Sequence, residues 1–369
     1  MGTCRLCGRT SPVVASCLAV CRDCIIAREG AKPFAEEAHR RARAGYSLPA
    51  FPPREGLPCR RCGNSCRVAD GERGYCGMVE NRDGRLRVLA NVNRGYLSWY
   101  YDWLPTNCVA SWVCPAETGA GYPKYAYRDG PEFGYKNLAV FYHSCTFDCL
   151  FCQNSHFRSR YMKGATSAAE LAAAVDDKTS CVCYFGGDPA SQLEHSLAAS
   201  RMASREARKE GRILRICWET NGSASARGAR RMMEVALESG GCVKFDVKAA
   251  DENVHLALTG ASNRQTWENV ALSAEYIPRR PSPPPLVAST PLVPGYVDEE
   301  EVGGIARRLA SLDEDIPYSL LAFYPCHRMR DLPTTSRAHA ERCFDAAKGA
   351  GLRRIRVANV HLLAPADYD

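Results

Sequence analysis

Leu138-Ala-Val-Phe-Tyr-His-Ser-Cys145-Thr-Phe-Asp-Cys149-Leu-Phe-Cys152-Gln-Asn154 is the stretch whose reading decides the fold. A short apolar run, readable as a strand, leads into a loop carrying three cysteines spaced CxxxCxxC. Cysteine thiolates are the usual ligands of iron–sulfur clusters, and three so close together suit one. A cluster held for electron transfer takes four cysteines. Three leave one iron without a protein ligand, as an open coordination position does in a catalytic metal site. A zinc loop or a buried turn could use the same three residues, so the surrounding sequence has to decide.

The chain has 369 residues, enough for two domains or one large domain with appendages. Its 46% hydrophobic and 24% charged content is that of an ordinary soluble globular protein. The net charge of +7 is spread along the chain without a Lys/Arg block, which permits nucleic-acid binding without arguing for it. Twenty cysteines are the anomaly. The opening Met1-Gly-Thr-Cys-Arg-Leu-Cys7 lacks the basic and apolar regions of a signal peptide, and no apolar run is long enough to span a bilayer. Many cysteines without secretion imply metal ligands rather than disulfides, in a reducing cytoplasm and away from the membrane.

Outward from the opening stretch, the N-terminal side is cysteine-rich. Residues 1–27 carry Cys4-x-x-Cys7 and Cys21-x-x-Cys24, a zinc-ribbon-like module, with Cys17 left over. So small a fragment buries too little to fold alone, which makes a structural metal its natural staple, zinc ahead of a rubredoxin-like iron. Residues 28–58 read as a solvated helix ending in the Pro-rich linker Leu48-Pro-Ala-Phe-Pro-Pro53. Residues 59–90 hold a second four-cysteine set, Cys59, Cys62, Cys66 and Cys76, which suits either zinc or an auxiliary [4Fe–4S] cluster. A hairpin turning at Asp83-Gly84 follows. Residues 91–137 form an aromatic connector with Trp99, Tyr100, Tyr101, Trp103 and Trp112, expected to pack mostly as core. Its Cys108 and Cys114 read as buried thiols that could complete a cluster site.

From 138 to 369 strand and helix patterns alternate. Apolar runs fall at 138–142, 181–185, 213–218, 242–247, 286–292, 318–324 and 355–358, with helical stretches between them. The alternation predicts an α/β domain, an open (β/α)6-type partial TIM barrel with N-terminal cysteine-rich modules. Reactive groups in such a fold belong at the C-terminal strand ends. Phe185-Gly186-Gly187-Asp188 stands at one of them, where paired glycines let backbone approach a ligand and the acid and carbonyls could receive an ammonium group. Trp218-Glu219-Thr-Asn-Gly222 ends the next strand. Alternation along Val243-Lys-Phe-Asp-Val-Lys248 puts Lys244, Asp246 and Lys248 on one face. That polar face is either a salt-bridge ladder or the wall of a polar site. Phe323-Tyr-Pro-Cys-His327 puts an imidazole just past a further strand.

Together these motifs resemble the radical S-adenosylmethionine (radical SAM) superfamily, in which an aromatic residue, here Phe151, precedes the third cysteine. The resemblance implies a [4Fe–4S] cluster on Cys145, Cys149 and Cys152, whose free iron is chelated by SAM. Reductive cleavage there releases a 5′-deoxyadenosyl radical. The GGE-type motif that binds the methionine amino group falls at Gly186, Gly187 and Asp188, with Asp in place of the commoner Glu. The strand-end motifs are similar to the pyruvate formate-lyase activating enzyme branch and imply contacts from Glu219, Asp246, Lys248 and His327 to SAM or metal. That branch's carboxylate-binding Arg is replaced by Ser289, so the hydroxyls of Ser289 and Thr290 would take its part. Residues 59–369 are more similar still to AmmeMemoRadiSam-system radical SAM proteins, through Cys-Gln-Asn154, Thr290-Pro-Leu-Val-Pro-Gly-Tyr296 and Asn359-Val-His-Leu-Leu363. The implied partners are a ferredoxin or flavodoxin donor and a protein, peptide or RNA substrate. A non-catalytic multi-cluster electron carrier is the competing reading.

Overall fold

The computed structural model describes residues 1–368. Its front end is short of regular structure, with a two-residue ladder pairing Gly2 and Thr3 with Ser11 and Thr10 ahead of helix α1, Arg22–Ala27. Helix α2, Lys32–Arg43, follows. The expectation of a solvated helix in this region does not hold, because α2 buries Ala38, His39, Ala42 and Arg43. The pattern hides this: two of the buried positions are a histidine and an arginine, whose burial depends on partners far along the chain. Beyond the second cysteine set, strands Val79–Arg82 and Arg85–Val88 form the expected hairpin. Asp83 and Gly84 at its turn have φ of +55° and +69°, the double positive φ that a two-residue hairpin turn requires.

The body is a nine-stranded sheet. In chain order the strands are β1 (Gly95–Trp103), β2 (Lys136–Tyr142), β3 (Ala165–Thr166), β4 (Thr179–Phe185), β5 (Arg215–Thr220), β6 (Val243–Asp246), β7 (Leu286–Leu292), β8 (Tyr318–Ala322) and β9 (Ile355–Ala358). Their spatial order is β9-β8-β7-β6-β5-β4-β2-β1-β3, which leaves β9 and β3 as edges of an open sheet. The seven strands β2 and β4 to β9 run parallel, as expected for an open partial barrel. Helices return the chain between them: α3 (Ala168–Ala173), α4 (Leu193–Lys209), α5 (Ala226–Ser239), α6 (Glu252–Thr259), α7 (Arg264–Ala274), α8 (Glu299–Ala310) and α9 (Arg337–Gly349). Ser167 and Glu170 close a capping box on α3. Asp298 caps α8 by accepting from the backbone of Glu300 and Glu301.

One element departs from expectation. The aromatic stretch does not bury itself but becomes β1, antiparallel to β2. Trp99, Tyr100, Tyr101 and Trp103 are 37%, 52%, 41% and 60% exposed, so all four leave a large part of their surface to solvent. Tyr100 still stacks on Phe141, and the Lys136 ammonium lies 3.6 Å from the Tyr101 ring.

Alternation sorts the strand residues. Val182, Tyr184, Ile216, Trp218, Val243 and Phe245 join the apolar core. Cys181, Cys183, Phe185, Arg215, Cys217, Glu219 and Lys244 line a cavity on the other, concave face. The core is continuous with the front end: Cys4, Val14, Leu18, Val20 and Ile25 belong to the same cluster as the barrel strands. Among the described residues, no helix is long and apolar enough to cross a membrane.

Candidate functional site

The loop after β2 carries Cys145, Cys149 and Cys152 and is fixed on several sides. Asp148 and Leu150 donate their backbone N–H groups to the carbonyls of Thr259 and Leu258 at the end of α6. Arg328 donates its N–H to the Leu150 carbonyl, and the Cys326 thiol reaches the Phe151 carbonyl at 3.0 Å. Phe151 packs its ring edge-on to Phe323, and the Lys248 ammonium lies 5.6 Å from the Phe151 ring centre. The aromatic residue before the third cysteine is thus a wedge between the cysteine loop and two strand ends. Burial pushes all three thiols up, Cys149 to about 12 against the pull of Lys248. Three half-buried thiols disfavoured as free thiolates would need a cation among them to ionise together.

Asp148, between the first two cysteines, is the residue that motif reading passed over. It is fully buried and accepts from Arg158 at 2.5 Å and from His39 of α2 at 3.0 Å, with Arg43 of α2 at 3.8 Å. Those partners hold its carboxyl below the usual range despite its burial. Helix α2 therefore grips the cysteine loop directly. The signal was in the sequence only as His39 and Arg43 on one helix, which no spacing rule links to Asp148.

The Gly186-Gly187-Asp188 turn lies against the same loop. Both glycines have positive φ, +44° and +61°. A Cβ on Gly186 would lie 1.9 Å from the Phe141 ring, and one on Gly187 would lie 2.1 Å from the Tyr142 carbonyl oxygen. Contact with β2, rather than the approach of a ligand alone, therefore demands glycine at both positions. The Asp188 carboxylate, expected to face an ammonium group, is instead taken up within the protein. It accepts from the Asn221 N–H at 2.7 Å, the Ala190 N–H at 2.7 Å and the Thr220 hydroxyl at 3.0 Å. Burial raises its pKa to about 6 against those bonds. Asn221 continues the link by donating to the Thr146 hydroxyl at 2.8 Å and pointing its amide at the Cys145 sulfur, 3.8 Å away. Thr220 and Asn221 thus tie two motifs together, a role their place in the Glu-Thr-Asn-Gly run did not announce.

On β6 the polar face divides. Lys248 pairs with Asp246, while Lys244 turns away to Glu219 at 3.3 Å. A continuous Lys–Asp–Lys ladder is therefore absent. Asp246 neighbours Ser289 in register, and its Oδ1 and the Ser289 hydroxyl are buried without a hydrogen-bond partner. Two orphaned oxygens on adjacent strands, at the end of β6 and the middle of β7, call for a polar ligand. Thr290 donates instead to the Val247 carbonyl. His327, in the left-handed region at φ +51°, sets its Nε2 3.1 Å from Arg158. Burial and the Arg158 charge bring its pKa down to about 4. It is joined to the cysteine loop through Arg158 and Asp148.

These residues fit a three-cysteine cluster with a chelating ligand: three half-buried thiols, two neighbouring cations, and orphaned oxygens beside them. Residues 139–309 match the radical SAM superfamily. This segment is a radical SAM domain. Isethionate sulfite-lyase activating enzyme of Oleidesulfovibrio alaskensis is 35% identical over 149 residues, 40% of this chain and 42% of that protein. The enzyme of that name from Nitratidesulfovibrio vulgaris is 36% identical over 146 residues, 39% of this chain and 41% of that one. The chain thus spans about two fifths of the length of these curated relatives. A crystallised domain of pyruvate-formate lyase-activating enzyme from Bacteroides vulgatus overlays with a TM-score of 0.38 at 22% identity, covering 48% of this chain and 98% of that one.

The front cysteines make a different arrangement. The sulfurs of Cys4, Cys7, Cys21 and Cys24 all lie within 4.8 Å of one another, with Cys7 and Cys21 3.8 Å apart. Four thiolates at 2.3 Å from one tetrahedral ion stand about 3.8 Å apart, so this cage has the size of a single metal ion. It docks on the loop after β7, where the Tyr296 hydroxyl donates to the Val20 carbonyl and accepts from the Ala15 N–H. The second set lies beside the cysteine loop: Asn64 donates to the Thr146 carbonyl at 2.6 Å, and Gly63 to the Ser223 carbonyl at 2.8 Å. Cys59, Cys62, Cys66 and Cys76 are mutual neighbours there, each charge raising the Cys62 thiol further above its ordinary value.

Proposed function

We propose that this chain is an activase-type radical SAM enzyme that reductively cleaves SAM and passes the radical to a macromolecular substrate. In this reading Cys145, Cys149 and Cys152 hold a [4Fe–4S] cluster. Asp246, Ser289, Lys248 and Glu219 line the SAM side. Bound there, cluster and SAM would supply one-electron cleavage of the sulfonium to a 5′-deoxyadenosyl radical. The chain's own contribution is position and exclusion of water. The Asp188–Thr220–Asn221 bonds lock the glycine turn to the cysteine loop, and Asp148 with His39, Arg43 and Arg158 locks the loop from the other side. Lys248 sets positive charge beside Phe151 and the thiols.

The observation that carries the reading is the pair of orphaned oxygens, Asp246 Oδ1 and Ser289 Oγ, on the paired strands β6 and β7, with Asp246 close enough to Cys149 to raise its thiol. A four-cysteine electron carrier needs no such pair. Zinc at Cys4, Cys7, Cys21 and Cys24 completes the reading as a structural staple, with ferredoxin or flavodoxin as electron donor. The docked front module and the exposed aromatic edge of β1 favour a large substrate such as a protein, peptide or RNA. Anaerobic protein given SAM and dithionite is expected to release 5′-deoxyadenosine, and Cys149→Ala none; release that persists in the variant would refute the assignment. Asp246→Asn with Ser289→Ala is expected to weaken SAM binding at least tenfold by equilibrium dialysis, a readout independent of turnover.

A further inference from the structure

Nine of the twenty cysteines belong to neither the radical SAM loop nor the two front sets, and six of those nine line a single cavity on the concave face of the sheet. The cavity holds about 250 Å³ and is walled by Cys181 and Cys183 of β4, Cys217 of β5, Cys242 just before β6, and Cys108 and Cys114 of the 104–117 loop. Cys183 and Cys217 are register neighbours on parallel strands. Trp218 pairs with Val243, so Cys217 and Cys242 are neighbours in turn. Three thiols thus stand in a row across three strands, successive ones about 4.8 Å apart in the backbone. The loop that brings Cys108 over them is tied across the sheet: Trp112 donates to the Ser319 hydroxyl at 3.0 Å, and Ser319 donates to the Val109 carbonyl at 2.8 Å.

The electrostatics around these sulfurs are built for negative charge. The Lys244 ammonium lies 2.9 Å from the Cys183 sulfur and 3.1 Å from that of Cys108. Arg215, paired with Glu132, reaches the Cys181 sulfur at 3.3 Å. Asn137 lines the same cavity and is 6% exposed, and its buried side-chain oxygen has no hydrogen-bond partner. Cysteine often fills a core as a small apolar group, but such packing explains neither two buried cations aimed at sulfur nor an orphaned amide oxygen.

We propose that Cys108, Cys183, Cys217 and Cys242 hold a further iron–sulfur cluster inside the barrel, with Lys244 hydrogen-bonding to its sulfur shell. The spacing selects the class of group. These thiols are not among the side chains gathered within 4.8 Å of one another, as the front cage is. A set drawn from three strands and a crossing loop is wider than the cage of one tetrahedral zinc, even with the Cys217 and Cys242 thiols in contact, and suits several irons bridged by inorganic sulfide. Cys114 and Cys181 then stand as neighbours of the cluster. The inference does not depend on SAM cleavage, since it concerns thiols outside the CxxxCxxC loop.

The test uses the full chain, reconstituted anaerobically with ferrous iron and sulfide. Cys183→Ala/Cys217→Ala is expected to lose about two to four irons and a matching amount of acid-labile sulfide per chain. Cys343→Ala, which removes a buried thiol outside the cavity, is expected to keep both. Zinc content and thermal unfolding monitor the fold of each variant. A second measurement needs no variant. In the reconstituted wild type, peptides carrying Cys108, Cys183, Cys217 and Cys242 should resist alkylation until a chelator strips the iron. Unchanged iron and sulfide in the folded double variant, equal alkylation before and after stripping, or a Cys217–Cys242 disulfide in the anaerobic protein would each overturn the proposal.

Discussion

The front cage and the barrel cysteines use the same ligand in opposite ways. Cys4, Cys7, Cys21 and Cys24 close around a point, with a sulfur separation of 3.8 Å between Cys7 and Cys21, and Cys7 lies exposed. Cys145, Cys149 and Cys152 lie on a loop wedged between strand ends, short of one ligand, with orphaned oxygens beside them. The first arrangement offers a single ion a complete shell, as a structural site does. The second leaves coordination open and invests the protein's buried charges, Asp148, Arg158 and Lys248, in holding an incomplete site. A closed sulfur shell marks a structural metal, and an open one backed by buried ion pairs marks a place for chemistry.

Variants that exchange these roles give the sharpest contrast. Cys149→Ala should abolish 5′-deoxyadenosine formation outright while leaving zinc in place, by metal analysis and product assay together. Asp148→Asn leaves Arg158 and Arg43 buried without their shared carboxylate, and should destabilise the protein by about 3–5 kcal/mol in denaturant titration. If the loss were below about 1 kcal/mol, α2 would not be the clamp described above. Cys21→Ala should release the front zinc and cost roughly 3 kcal/mol as the segment before α1 loses its staple, with the iron content unchanged. Gly187→Ala drives a Cβ into the Tyr142 carbonyl at positive φ, and should cost about 1–3 kcal/mol with a weaker affinity for SAM.

Much of this comparison could be read from the chain, and the gaps have physical causes. CxxxCxxC, the alternating strands, both front cysteine sets and the Asp83-Gly84 turn are local signals, set by spacing or by φ, and they survive folding unchanged. The aromatic run was read as core since its composition says so, yet a sheet edge can carry such residues outward. The Asp148 clamp and the Asp188–Thr220–Asn221 bridge join residues tens of positions apart, and no periodicity encodes them. The cavity thiols at 181, 183, 217 and 242 became a group only once three parallel strands set them side by side.

The most direct test of the open shell is the EPR spectrum of the singly reduced protein before and after SAM is added, in the Cys183→Ala/Cys217→Ala background to remove overlapping signals. An iron left free by three cysteines should take up SAM and shift the reduced-cluster g values, and Cys149→Ala should erase that signal. A reduced-cluster spectrum that SAM leaves untouched would mean the shell is closed, and the account would be wrong.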